Sequence, residues 1–96
     1  MAITKQYLKA KPLCKVTFAV PAKDAERVTV SGEFNDWKET ELKKQKNGVF
    51  KLAVNLPIDT SFEFRYIVDG VWMNDESADR SKWSDFASAE NSVIDL

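Results

Sequence analysis

The chain has 96 residues, of which 44% are hydrophobic and 30% are charged, and its formal net charge is −1. A chain of this size can bury one hydrophobic core and is too small for two, so we expect a single domain over residues 1–96 with its core from about residue 12 onward. The balanced charge gives no overall field that favours nucleic acid or an anionic membrane as a partner. No segment approaches membrane-spanning length.

The residue types present exclude several kinds of chemistry. Histidine is absent, and the only cysteine, Cys14, cannot form an internal disulfide. Cys14 is in phase with Val16 and Phe18, so we expect it in the core. Lysines interrupt every apolar run of the first twenty residues, which therefore do not resemble a secretory signal. We expect a cytoplasmic protein without a metal or cofactor.

Apolar and polar residues alternate along most of the chain, as is typical of strands with one buried face. The predicted strands cover residues 14–20, 28–31, 50–56, 62–68, 71–73 and 92–96. One weak helical turn is expected at residues 22–26. Residues 34–42 and 74–91 do not fit strands, and we expect Trp83 and Phe86 to pack the second of these loops. This pattern predicts an antiparallel β-sandwich.

The clearest local signal is a β-hairpin. Asp69-Gly70 lies between two apolar runs and predicts a two-residue type I′ turn. This turn fixes the facing pairs as Val68 with Val71, Ile67 with Trp72, Tyr66 with Met73 and Arg65 with Asn74. The core face of the longer strand is then formed by Phe62, Phe64, Tyr66 and Val68.

Arg65, Ile67, Trp72 and Asn74 share the opposite face of this hairpin, which cannot also belong to the core. An indole beside a guanidinium and an amide is typical of a binding platform. A cross-strand Ile67–Trp72 pair with Arg65 stacked on the ring explains the same pattern as sheet stabilisation. Both interpretations stay open at this point.

Catalysis is not expected from this sequence. Glycoside hydrolysis requires two suitably spaced carboxyl groups, and Asp75, Glu76 and Asp79 lie close together in the chain. We place them in a solvated loop, which does not offer the contrasting environments that an acid and a nucleophile need. A domain this small also lacks depth for a substrate-burying pocket beside its core.

Recognition through surface aromatics remains. Trp37 follows a strand and has polar neighbours, which favours an exposed position, although a lone loop Trp more often plugs a core. Two flat aromatic rings, Trp37 and Trp72, together with Arg65 and an Asn suit a pyranose, whose apolar face stacks on a ring while its hydroxyls form hydrogen bonds.

Three motifs carry a resemblance to a known family. Residues 28–37 (VTVSGEFNDW), 64–72 (FRYIVDGVW) and 90–94 (ENSVI) together resemble carbohydrate-binding module family 48. That family includes the glycogen-binding domain of the AMP-activated protein kinase β subunit and the N-terminal early-set domains of isoamylase and glycogen branching enzymes. The chain is most similar to small bacterial members that consist of this domain alone. The resemblance implies an all-β, immunoglobulin-like antiparallel sandwich of the early-set type.

The resemblance also implies site residues. In the kinase-type domain, the two motif tryptophans stack on α-1,4-linked glucose, and they match Trp37 and Trp72. The family's lysine matches Arg65, and its asparagine before the last strand matches Asn91. The kinase-type Leu and Thr before that Asn are absent from Phe86-Ala-Ser-Ala-Glu90, where Phe86 is the candidate for the apolar group if the loop shifts by one residue.

The sequence therefore predicts non-catalytic binding of α-1,4-linked glucan (glycogen, starch or maltodextrin). The predicted site consists of Trp37, Arg65, Trp72, Asn74, Phe86 and Asn91. The alternative is a protein-interaction module that docks onto a glycogen-metabolising branching or debranching enzyme. A docking face would be a contiguous apolar patch, whereas a sugar platform has separate rings with polar gaps between them.

Overall fold

Ten β-strands and one short 3₁₀ turn make up the computed structural model, which describes residues 1–96. The strands are β1 Ala2–Tyr7, β2 Leu13–Pro21, β3 Val28–Gly32, β4 Thr40–Glu41, β5 Lys43–Lys44, β6 Val49–Pro57, β7 Ser61–Val68, β8 Val71–Met73, β9 Arg80–Ser84 and β10 Ala89–Asp95. The 3₁₀ turn covers Glu33–Asn35. None of the helical segments has the length and hydrophobicity required to cross a bilayer.

The strands form two antiparallel sheets. The first sheet has the order β1-β2-β6-β5, and the second has the order β4-β3-β7-β10-β9, with β8 paired to β7. The two sheets pack as an immunoglobulin-like β-sandwich, which confirms the predicted fold class. Burial alternates along β2 and β6 as the sequence predicts, whereas all five residues of β3 are buried, including Thr29 and Ser31.

Aromatic rings fill the centre of the sandwich. Phe18 of β2 stacks on Phe34 with ring centroids 5.5 Å apart and contacts Phe64 of β7 at 5.2 Å. Tyr66 packs edge-on against both Phe18 and Phe64. Cys14 is fully buried beside them in the core, as predicted.

The predicted hairpin forms with the predicted register. Asp69 and Gly70 both have positive φ, at 46° and 85°, as a type I′ turn requires. Ile67 pairs with Trp72, and Tyr66 pairs with Met73. The strand β8 ends there, so the expected Arg65–Asn74 pair does not form. Ile67 is buried although it lies on the outer face, opposite Trp72.

Four strands and one turn differ from the prediction. The two-residue strands β4 and β5 both lie outside the predicted strands. β1 lies before the expected core and pairs with β2 over its whole length. β9 lies within the expected loop at residues 74–91 and pairs with β10 at the edge of the second sheet. Residues 22–26 form a turn in which Ala25 N donates to Ala22 O (2.9 Å), and the helical turn predicted there is wrong.

Candidate functional site

The loop that follows β3 is held by one half-buried amide. Asn35 donates from Nδ2 to Val30 O (3.1 Å) and to Thr40 Oγ1 (3.0 Å), and its Oδ1 accepts from Gly32 N (2.9 Å). A short polar side chain that bonds to nearby backbone groups is well suited to fixing a tight turn. Asn35 therefore ties the two ends of this loop together.

Gly32 allows β3 to approach β7 closely. A Cβ atom at Gly32 would lie 2.7 Å from Glu63 O and 2.7 Å from Phe64 Cβ, which is too short for any side chain. The next residues divide between the two sides of the sheet. Phe34 turns inward onto Phe18, whereas Trp37 lies on the outer face and is 42% exposed.

Trp37 has an uncommon backbone conformation. Asp36 and Trp37 have φ values of 55° and 60°, in the left-handed region that residues with a Cβ seldom adopt. Trp37 N donates to Gly32 O (2.8 Å), and Trp37 O accepts from Ser31 Oγ (2.7 Å). Such strain persists only where the surroundings hold it, and it is concentrated at functional sites. The exposure of the Trp37 side chain, at 42%, shows that the interpretation as a core plug is wrong.

The hairpin places Trp72 and Arg65 side by side on the outer face. Trp72 is 49% exposed, and the Arg65 Cζ atom lies 4.5 Å from the centroid of its ring. This distance is within the range of a cation–π interaction. The stacking and the exposure are compatible, because a ring that is covered on one side still offers area to a ligand.

Asn91 lies near the start of β10, the strand that pairs with β7, and is buried. Its Nδ2 donates to Glu63 Oε1 (3.1 Å), and its Oδ1 has no protein partner. Arg65 Nε is also buried without a partner. Buried polar atoms without a protein partner are few in folded proteins, and one explanation is a bond to a molecule from solvent.

These elements meet in a groove of about 750 Å³ on the outer face of the second sheet. The groove is lined by Ser31, Glu33, Trp37, Glu63, Arg65, Trp72, Ser84, Phe86, Ala87 and Asn91. Five of the six residues predicted from the sequence are among them. The structure thus brings together residues that are up to 54 positions apart along the chain (37 to 91).

Asn74 is the predicted residue that the groove does not contain. Its Nδ2 donates to Glu90 O (2.8 Å), and its Oδ1 accepts from Ser92 Oγ (3.0 Å). Asn74 lines a separate, smaller pocket instead. Its amide braces the beginning of β10, the strand that carries Asn91.

The carboxylates suspected from the sequence form structural contacts. Asp75 is buried and accepts from the Tyr66 hydroxyl (2.6 Å), so its expected place in a solvated loop is wrong. Burial and this hydrogen bond raise the pKa of Tyr66. Asp79 accepts from Lys5 Nζ (2.6 Å) and from Asp95 N (2.8 Å).

We expected Trp83 and Phe86 to pack against their own loop, and this prediction is wrong. Trp83 is 57% exposed, donates from its indole nitrogen to Asp85 Oδ1 (2.9 Å), and lies outside the groove. Phe86 is fully exposed and lines the groove. One of the two aromatics thus belongs to the candidate site, and the other does not.

Sequence analysis missed Glu33, Glu63 and three small residues of the groove: Ser31, Ser84 and Ala87. The signal for Glu63 was present, because strand alternation places it on the same face as Arg65. Ser31 pairs with Arg65 across the sheet, but that pairing cannot be read from either strand alone.

The fold and the groove define a small immunoglobulin-like β-sandwich that carries a groove with aromatic and polar side chains on one sheet. Residues 15–96 match the profile of the family described as the glycogen recognition site of AMP-activated protein kinase. Because this match covers most of the sequence, the chain belongs to that family. The resemblance inferred from the three motifs is confirmed.

Curated relatives come from Saccharomyces cerevisiae. The proteins called cruciform DNA-recognizing protein 1 in strains RM11-1a and JAY291 are each 32% identical to this chain over 84 residues. The aligned part covers 83% of this chain and 17% of each relative. The chain thus spans less than a fifth of the length of these proteins.

Proposed function

We propose that this domain binds α-1,4-linked glucan, such as glycogen, starch or maltodextrin, and does not catalyse a reaction on it. The observation that carries the proposal is that Trp37 and Trp72 are exposed in one groove that also contains Arg65 and Asn91. Membership of the glycogen-recognition family supports the ligand class. Phe86 adds a third exposed ring to the proposed site.

The chemistry of the groove suits a sugar. A pyranose has apolar C–H faces that stack on aromatic rings, and hydroxyls that both donate and accept. The partnerless Arg65 Nε is a donor, and the partnerless Asn91 Oδ1 is an acceptor. Asn74 is not part of this proposal, because its amide is already bonded to Glu90 and Ser92.

The carboxylates of the groove support a non-catalytic role. Glu33 Oε1 accepts from Glu63 N (2.7 Å), while Glu63 bonds to Asn91 and lies 3.7 Å from Lys82 Nζ. Both side chains hold the walls of the groove. A glycosidase needs one carboxyl group as an acid and a second as a base or nucleophile, with both free to reach the scissile bond.

Co-sedimentation with glycogen tests the proposal, with cellulose as the control polymer. We expect the protein to pellet with glycogen and to stay in solution with cellulose. Equal behaviour with the two polymers would contradict the proposal. A long incubation with maltoheptaose should release no shorter products. Hydrolysis that is lost in Asp75→Asn or Asp79→Asn and kept in the Trp variants would make the protein an enzyme.

The alternative is docking onto a glycogen-metabolising enzyme, and it predicts a contiguous apolar face. In the groove, however, polar side chains such as Glu33, Arg65 and Asn91 occur among the exposed rings. This pattern favours a sugar ligand. DNA, which the name of the yeast relatives mentions, is not proposed here, because a net charge of −1 offers little attraction to a phosphate backbone.

A further inference from the structure

Two buried atoms of opposite hydrogen-bonding character, each on a residue that lines the groove, have no protein partner. Arg65 Nε can only donate, and Asn91 Oδ1 can only accept. Asn91 is 2% exposed, so its amide is not free to exchange partners with bulk water. The orientation of this one amide decides whether the groove presents a donor or an acceptor at that point.

Glu63 sets that orientation. An ionised carboxylate accepts hydrogen bonds and cannot donate them, so the Asn91 amide must turn its Nδ2 toward Glu63 Oε1. The oxygen Oδ1 then lies on the opposite side of the amide, without a protein partner. Glu63 is itself held by Lys82, whose Nζ lies 3.7 Å from Oε2.

We propose that Glu63 is a positioning residue that makes the groove selective for a neutral sugar hydroxyl over a phosphorylated glucan. This inference rests on the proposed glucan-binding function. A hydroxyl group can both accept, as the donor Arg65 Nε requires, and donate, as the acceptor Asn91 Oδ1 requires. A phosphate dianion satisfies Arg65 but has no hydrogen to donate to Asn91.

Charge acts in the same direction as hydrogen bonding. Glu33 and Glu63 both line the groove, so an anionic ligand there meets two carboxylates as well as Arg65. Like charges brought close together disfavour binding. A neutral glucan does not experience this repulsion.

The test compares Glu63→Gln with Glu76→Gln, which removes the same charge at an exposed position outside the groove. A glutamine at position 63 can donate as well as accept, so it no longer dictates how the Asn91 amide is turned. Affinities for maltoheptaose and for a phosphorylated maltodextrin of the same length are measured by calorimetry. We expect wild type to prefer the neutral chain at least tenfold. Glu63→Gln should bind maltoheptaose about three- to tenfold more weakly, as expected for one lost hydrogen bond, and Glu76→Gln should bind it as wild type does.

A double-mutant cycle with Asn91→Ala shows whether Glu63 affects binding through Asn91 or independently of it. If Glu63 acts through Asn91, Glu63→Gln should have no further effect on maltoheptaose affinity in the Asn91→Ala background. The side-chain amide resonances of Asn91, measured by NMR without ligand, should shift in Glu63→Gln and stay in place in Glu76→Gln. This spectroscopic measurement does not depend on glucan binding.

The outcomes distinguish the two proposals. If wild type binds maltoheptaose and the two glutamine variants behave alike, the role of Glu63 is overturned and glucan binding stands. Additive effects in the cycle, or equal wild-type affinity for the two ligands, also overturn it. If wild type binds neither ligand, the proposed function fails, and this inference fails with it.

Discussion

The two faces of β7 have different tasks although they share one backbone. On the inner face, Phe64 and Tyr66 are fully buried and pack against Phe18. On the outer face, Glu63 and Arg65 line the groove. Stability depends on the inner face, and the glucan binding that we propose depends on the outer one, so adjacent positions in the sequence should respond to substitution in opposite ways.

The largest expected effect is the loss of a core ring. Phe64→Ala should destabilise the fold by roughly 3–5 kcal/mol, because the cavity adds to the lost burial. Arg65→Ala should leave the free energy of unfolding within about 1 kcal/mol and weaken glucan binding. Chemical denaturation and calorimetry measure the two effects. Equal destabilisation by both changes would contradict the separation of the faces.

Tyr66 gives a second test of the inner face, through pH. Tyr66→Phe removes a buried hydrogen bond to the Asp75 carboxylate, so we expect a loss of about 1.5–3 kcal/mol at neutral pH. The pKa of Tyr66 is raised above its ordinary value of 10.0 by burial and by Asp75. The unfolded chain therefore releases this proton first, and the stabilisation is lost as the pH rises beyond about 10.

Urea unfolding of wild type and Tyr66→Phe at a series of pH values checks this prediction. The difference in stability between the two proteins should be constant from neutral pH to about pH 9 and should shrink above about pH 10. Lysine deprotonation affects both proteins alike, so it cancels in the difference. A difference that does not depend on pH up to about pH 11 would contradict this, because it would mean that Tyr66 has the same pKa in the folded and unfolded states.

The exposed tryptophans test the outer face, and the chain provides its own control. Trp37→Ala and Trp72→Ala should each weaken glucan binding at least about tenfold, or ~1.4 kcal/mol, with stability changed by no more than about 1 kcal/mol. Trp83→Ala removes a ring that is more exposed than either of these and lies outside the groove, so this variant should bind glucan as wild type does. Weakened binding in all three variants would indicate a non-specific effect of losing a surface ring.

The sequence predicts those parts of the fold in which one face is buried and the other is not. Strand alternation and the Asp69-Gly70 turn were enough for β2, β6 and the β7–β8 register. β9 was not predicted, because it is an edge strand exposed on both faces and therefore shows no alternation of apolar and polar residues. β1 was not predicted, because Lys5 interrupts the apolar pattern of this strand. The Lys5 ammonium group donates to Asp79 and to the carbonyl of Asp95.

The positions of the candidate-site residues were predicted correctly where a motif fixes the direction of the side chain. The prediction was wrong where strand alternation stops. Trp72 and Arg65 follow from the hairpin register, and Trp37 from a motif whose Gly and Asn hold the turn. Asn74 was placed by extending the strand one residue too far. No pattern in residues 74–91 reveals that Asp75 is buried, because the interaction depends on Tyr66 from a different strand.

Substitution of Phe86 should have the smallest effect on stability, so a change in glucan binding can be assigned directly to the outer face. The ring is fully exposed and lies in a turn before β10, where Ser88 has a φ of 51°. Phe86→Ala removes no buried contact, so the free energy of unfolding should change by less than about 0.5 kcal/mol. If the ring packs onto bound glucan, the variant should bind maltoheptaose several-fold more weakly. Phe86→Leu, which keeps an apolar side chain, should recover part of the loss. Calorimetry on both variants measures this, and affinity unchanged in Phe86→Ala would remove Phe86 from the proposed site while leaving Trp37 and Trp72 in it.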